Sequence, residues 1–324
     1  MSELHKFIFE GLPVRGMLVR LTDAWTDLLE RREAAGGYPA PVRDLLGEMA
    51  AAGVLMQANI KFDGALVLQV HGDGPVKLAV CEVQPDLALR ATATVAGAVP
   101  ATEPGQGLEA LVNAGGRGRC AITLDPTERL PGQQPYQGVV PLHGDRREPL
   151  QQLSQVLEHY RLQSEQLDTK LVLAADGRAA AGLLIQRLPV EGASNLGARN
   201  EDDIGLSEGY NRIALLAATL TRDELLTLSP ERLLHRLFWD EEVRRFEPLR
   251  GERAPRFACR CSRARVAGML QGLGRAEIDG LIAERGTAEV GCEFCGAQYR
   301  FDAVDVGEIF TAPRDQPPAS RAVQ

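Results

Sequence analysis

Residues 14–21, 65–71, 119–124 and 170–174 are apolar-rich runs read with a side-chain period of two, and each is bounded by Gly, Asp or Pro. Alternation at that period turns one face of an extended chain toward a core, so these runs predict strands. Between them the period lengthens to that of a helix. Trp25, Leu28 and Leu29 follow a candidate Thr22 cap and stop at Gly36-Gly37; Val42, Leu45, Leu46 and Met49 follow Pro41; Leu150, Leu153, Leu157 and Tyr160 mark a third helix. Gly72-Asp73-Gly74-Pro75 has the turn chemistry that joins neighbouring strands directly. Residues 1–188 are therefore expected to form an α+β domain, a mixed, largely antiparallel sheet with helices.

The pattern changes after that. Residues 189–208 are polar and Gly-rich, the composition of a flexible excursion, and a domain boundary is expected there. Residues 209–250 return to helical spacing, with Leu215, Leu216 and Leu220, then Leu233, Leu234, Leu237 and Phe238. The expected organisation is a core over 1–188, a flexible insertion and helical linker over 189–256, a small cysteine domain over 257–310 and a disordered tail over 311–324. No internal repeats are found.

Composition narrows the function classes. The 324 residues are 44% hydrophobic and 25% charged, which is globular, and the 5% aromatic content makes the core mainly aliphatic. A net charge of -8 opposes indiscriminate binding to phosphate backbones. Residues 1–16 include Glu3, Lys6 and Glu10 and lack the apolar run of a signal peptide, and no segment approaches a membrane span. A cytoplasmic location is expected. Four of the six cysteines lie in the last quarter of the chain, which without an export signal points to metal ligation.

Cys259-Arg260-Cys261 and Cys292-Glu293-Phe294-Cys295 are two close pairs, separated by enough chain to fold back on itself. Four thiolates can meet at one tetrahedral ion, and soft sulfur donors make zinc the expected metal. Four protein ligands leave no open position for a substrate water, so catalysis at the metal is not expected. A purely structural module is one reading of this spacing. A switch is the other: zinc contributes on the order of 10–16 kcal/mol to such a module, while its sulfurs are thiolates, the form that oxidants attack. Residues 221–250 interleave seven acidic and six basic residues with Leu225, Leu226, Trp239, Val243 and Phe246 among others. An amphipathic segment of this kind needs a docking surface; if the zinc module supplies part of it, oxidation would release the segment as a charged yet sticky chain, whereas the plainer alternative is a helix packed permanently on the core.

With these residues in view, the sequence resembles the redox-regulated holdase family, heat-shock protein 33, over nearly its whole length. The cysteine pattern is the most specific match. Val14-Arg15-Gly16, Lys61-Phe62-Asp63-Gly64, Gly72-Asp73-Gly74-Pro75, Tyr136-Gln137-Gly138-Val139-Val140 and Ser164-Glu165-Gln166-Leu167 support it. The sequence departs from the pattern at Asp168, where proline is expected, and in the insertion around Asn195 to Asp203. The resemblance implies an ATP-independent chaperone, not an enzyme, with one zinc on Cys259, Cys261, Cys292 and Cys295 when reduced and inactive. It implies disulfides Cys259-Cys261 and Cys292-Cys295 on oxidation, zinc release, loosening of the linker, homodimers formed through the N-terminal core, and binding of unfolding clients.

Other candidates are weaker. Cys81 and Cys120 lie in apolar runs and read as core, His143 and His159 as surface or packing residues, and Asn113-Ala114-Gly115-Gly116-Arg117-Gly118 as a turn instead of a phosphate cradle. The main rival is a zinc-ribbon nucleic-acid binder, motivated by Arg244, Arg245, Arg250, Arg253, Arg256, Arg260, Arg263 and Arg265. Neighbouring acidic residues and few stacking aromatics speak against nucleic acid. A disulfide oxidoreductase is a further alternative, but no thioredoxin-like context surrounds the Cys-x-x-Cys.

Overall fold

The computed structural model describes residues 1–33, 36–103, 105, 107–128, 132–189 and 203–311. The insertion around Asn195 to Asp203 and the tail over 311–324 thus fall outside the described residues except at Asp203 and Thr311. The chain forms two compact units, Met1–Ala258 and Cys259–Gln324.

The first unit opens with strands β1 (Glu3–Phe9) and β2 (Val14–Leu21), then helices α1 (Asp23–Glu33) and α2 (Ala40–Asn59). Strands β3 (Gly64–His71), β4 (Val76–Val83) and β5 (Ala88–Val95), the short helix α3 (Leu108–Val112), and strands β6 (Arg119–Pro126) and β7 (Tyr136–Pro141) follow. Helix α4 (Leu153–Glu165) leads into β8 (Thr169–Ala175) and β9 (Ala180–Arg187). The chain then runs through α5 (Asp203–Ala218), α6 (Arg222–Thr227), α7 (Pro230–Phe238), β10 (Val243–Arg245) and β11 (Arg256–Phe257). A five-stranded sheet has the order β10-β1-β2-β9-β8 and a six-stranded sheet the order β11-β5-β4-β3-β6-β7. Among the described pairings only β11 on β5 is parallel, in keeping with the antiparallel α+β expectation.

Helix α2 explains the arrangement. From Met49 to Met56 it has no polar side chain and so belongs inside: the Ala50-Ala51-Ala52 run, Val54 and Leu55 are fully buried against both sheets. Gly47 permits the closest approach, since a Cβ there would stand 2.4 Å from that of Ala175. A second apolar cluster lies on the opposite face of the five-stranded sheet. There Phe7, Phe9, Leu18 and Ile185 meet Ile213, Leu225, Leu233, Leu237 and Phe238 of α5, α6 and α7.

That second cluster identifies the docking surface which the amphipathic segment requires. It also corrects one expectation. Helical spacing was read through residue 250, but the helices end at Phe238, and Val243–Arg245 forms a strand on the edge of β1. The pairing supplied by β1 overrides the local pattern of a charged three-residue stretch.

Candidate metal centre

The second unit contains α8 (Arg263–Leu273), α9 (Arg275–Arg285), the hairpin β12 (Ala288–Gly291) and β13 (Gln298–Phe301), and α10 (Ala303–Phe310). Cys259 and Cys261 precede α8, whose start is fixed by Ser262: its hydroxyl oxygen accepts the Arg265 N–H at 3.2 Å. Cys292 and Cys295 sit in the hairpin turn. The Cys292 N–H donates to the Ala297 carbonyl at 2.8 Å and the Gly296 N–H to the Cys292 carbonyl at 2.7 Å. Gly296 closes this turn at φ +72°, a conformation that favours glycine. Arg263 braces the unit, stacking 4.2 Å from the Phe301 ring centroid and pairing with Asp305 at 2.6 Å.

These elements bring together all four cysteines singled out in the sequence. Their sulfurs lie within 4.8 Å of one another, with Cys259 to Cys292 at 3.6 Å and Cys261 to Cys295 at 3.3 Å. The Tyr299 hydroxyl, on β13, donates to the Cys261 sulfur at 3.1 Å. Burial opposes ionisation of Cys261 most, yet the hydrogen bonds from Tyr299 and the neighbouring thiols outweigh it and bring this thiol down to about 7. Burial leads in pushing Cys259 and Cys295 upward. One thiol is thus ready to ionise first, and an ion would bring the others with it. Among the described residues no other group of three or more His, Cys, Asp or Glu side chains could hold a metal ion.

Tyr299 was missed from sequence, although an aromatic four residues beyond Cys295 was there to be read. The remaining candidates fall where the reading placed them. Cys81 and Cys120 are fully buried on β4 and β6, and burial pushes both thiols up to about 12. His143 and His159 are half-buried. At the Gly115-Gly116 turn, the Asp73 carboxylate accepts the N–H groups of Gly115 and Arg117, each at 3.1 Å, so a side chain fills the place a phosphate would need.

A family profile described as "Hsp33 protein" matches residues 2–302. The 33 kDa chaperonin of Chromobacterium violaceum is 45% identical over 309 residues, covering 95% of this chain and 94% of that protein. The 33 kDa chaperonin of Methylobacillus flagellatus is 40% identical, with 96% and 94% covered. This chain belongs to the Hsp33 family. Its fold is similar to the crystal structure of the 33 kDa chaperonin from Thermotoga maritima, with a TM-score of 0.68 at 18% identity, covering 95% of this chain and 98% of the other. Membership assigns the protein to a chaperone family.

The other motifs on which the resemblance was read lie in the first unit. Gly16 lies under the Phe7 ring, which a Cβ would meet at 2.2 Å, and Gly138 lies equally close under Tyr160 at 2.5 Å. Gln166 ends α4 in the left-handed conformation at φ 55°. Asp168, where the resemblance led proline to be expected, forms an ion pair with Arg187 at 2.8 Å and accepts its backbone N–H at 3.0 Å through its carbonyl, so it secures the open end of β8 and β9.

Proposed function

We propose that this protein is a redox-regulated, ATP-independent holdase that binds unfolding proteins under oxidative stress, zinc-bound and inactive when reduced. The observation that carries the reading is the closed set of four sulfurs in a unit with very little core. A tetrahedral ion with bonds of about 2.3 Å requires sulfur separations of about 3.8 Å. The cysteines present fit one zinc per chain, since their sulfurs bracket that separation and their chemistry is soft. Bound there, zinc supplies cross-links between the two cysteine segments and no catalysis.

The residues themselves supply the switch. Oxidation would form Cys259-Cys261 and Cys292-Cys295; each bond takes two electrons from a pair of thiolates, and one hydrogen peroxide accepts them with two protons from solvent and becomes two waters. Sulfurs in disulfides no longer bind the metal, so zinc is lost. Helices α5 to α7 and strand β10 of the linker then leave the sheet, exposing Phe7, Phe9, Leu18 and Ile185 together with their own apolar stripe. These surfaces hold clients, and the oxidised chains pair as homodimers through the N-terminal core.

Charge supports this reading over the nucleic-acid alternative. Arg244 pairs with Glu10 at 3.0 Å, Arg245 with Glu231 at 3.2 Å, Arg250 with Glu3 at 2.6 Å, and Arg253 with Glu247 at 3.1 Å. Arginines committed to carboxylates make a poor phosphate track. A cytoplasmic site is in keeping with six unbridged cysteines.

The test is peroxide under mildly destabilising warmth, following zinc release, free thiols and light scattering by an aggregating client. All three should change together and reverse with reductant. Equal anti-aggregation activity in both redox states, or unaltered metal content after replacing Cys292 and Cys295 with Ser, would overturn the proposal.

A further inference from the structure

The outer edge of β1 is occupied from end to end by the chain's own linker. Phe7, Ile8 and Phe9 pair antiparallel with Arg245, Arg244 and Val243. Beyond that register the Glu10 N–H donates to the Glu242 carbonyl at 2.8 Å, the Phe246 N–H to the Lys6 carbonyl at 2.9 Å, and Leu4 and Leu249 exchange bonds at 3.1 and 2.9 Å. A carboxylate stands near each end: Glu10 pairs with Arg244 at 3.0 Å and Glu3 with Arg250 at 2.6 Å. Beside the edge, Phe7 and Phe9 are covered by Phe238, whose ring centroid lies 5.0 Å from that of Phe9.

The covering strand is poorly suited to its place. Two of its three residues are arginine, both exposed, and neither has strand propensity to match the row of backbone groups they satisfy. A short, charged strand is what protects an edge while remaining replaceable. Withdrawing it would leave unpaired N–H and C=O groups beside two phenyl rings, a template for another extended chain.

We propose that this edge of β1 is a strand-addition site for extended segments of non-native polypeptide, with β10 as its internal place-holder. The proposal rests on the linker release argued above. The occupant follows from the place-holder: an antiparallel strand with apolar or β-branched residues at alternate positions, and basic residues toward its ends opposite Glu3 and Glu10. Backbone pairing makes binding tolerant of sequence, and the carboxylates bias it toward basic flanks.

Hydrogen exchange on the full chain tests this. By the alternation of an antiparallel ladder the amides of Leu4, Ile8 and Glu10 face β10, whereas those of Phe7 and Phe9 face β2 and serve as controls. Oxidation should strip protection from the first set only. Adding a soluble peptide of alternating valine and threonine with lysine at each end should restore it. The lysine-ended peptide should bind about fivefold more tightly than its glutamate-ended counterpart at low salt. That preference should vanish in the Glu3→Gln/Glu10→Gln variant.

The outcomes separate the two readings. If the three amides keep their protection on oxidation, linker release and strand addition both fall. If they lose it and do not regain it while client protein is still held, strand addition alone falls. Protection that returns in the oxidised protein without peptide, in proportion to protein concentration, would give the edge to a second copy of this chain and overturn the proposal.

Discussion

Glu48 is a carboxyl on the buried helix α2, only 6% exposed, one turn after Asp44. Burial first, then the Asp44 charge, push its pKa up from 4.5 to about 8, against the pull of the Arg222 guanidinium. In the folded chain it keeps its proton to about 8, whereas the unfolded chain releases it near 4.5. The unfolded state therefore binds fewer protons across that window, so stability from this group is full below 4.5 and falls as pH rises to about 8. The slope is at most about 1.4 kcal/mol per pH unit. Glu48→Gln keeps the size and removes the titration. Its urea midpoint should match the parent near pH 4 and exceed it near pH 8, with some slope left because burial raises Asp44 as well. Parallel pH profiles for the two proteins would refute the assignment. At this scale the sequence was most legible where chemistry is written in spacing. Cys259, Cys261, Cys292 and Cys295 could be chosen in advance because ligands must come in sets. Glu48 and Tyr299 could not, since a lone carboxyl or phenol acquires meaning only from the groups folded around it.

The elements repeat this lesson at greater length. Strand β2 was read to its ends because an apolar-rich run of eight residues is bounded by Pro13 on one side and Thr22-Asp23 on the other. Strand β10 was invisible, having three residues and no pattern of its own. Helix α7 falls between these cases: its stripe was plain in the sequence, but the sheet face under it was not. Ser229 accepts the Arg232 N–H at 3.4 Å to start the helix, and Leu233, Leu234, Leu237 and Phe238 are buried along one side. Arg20 holds the preceding turn, donating to the Leu226 and Leu228 carbonyls at 2.7 Å. Phe238 lies edge-on to Phe9, ring centroids 5.0 Å apart. Phe238→Ala should cost about 3–5 kcal/mol of packing, comparable with the docking energy of so short a helix. The reduced, metal-loaded variant should then be cleaved by protease within residues 203–250 and suppress client aggregation without oxidant. A variant as protease-resistant and as inactive as the parent, at equal zinc content, would show that α7 is not the restraint.

At the scale of the whole molecule, the two units differ in how much apolar core they bury. The first has two apolar clusters, one of them built around a twenty-residue buried helix, and should stand without any ligand. Among the described residues, the second buries only Leu270, Ile278, Ala288, Phe301 and Val306 in its cluster. So small a core contributes a few kcal/mol at most and leaves the chain entropy of its loops uncovered, whereas a four-thiolate ion contributes on the order of 10 kcal/mol. Metal removal should therefore act on one unit alone. Treating the reduced protein with a strong chelator should abolish amide protection across residues 259–311 while β2, β3, β6 and β9 keep theirs, and added zinc should restore it. Because no disulfide forms under those conditions, the experiment separates loss of the ion from oxidation of its ligands. If the chelated protein retains protection on β12, β13 and α10, the second unit folds on its own core. Oxidation would then have no unstable element to set free, and the switch would need a different origin.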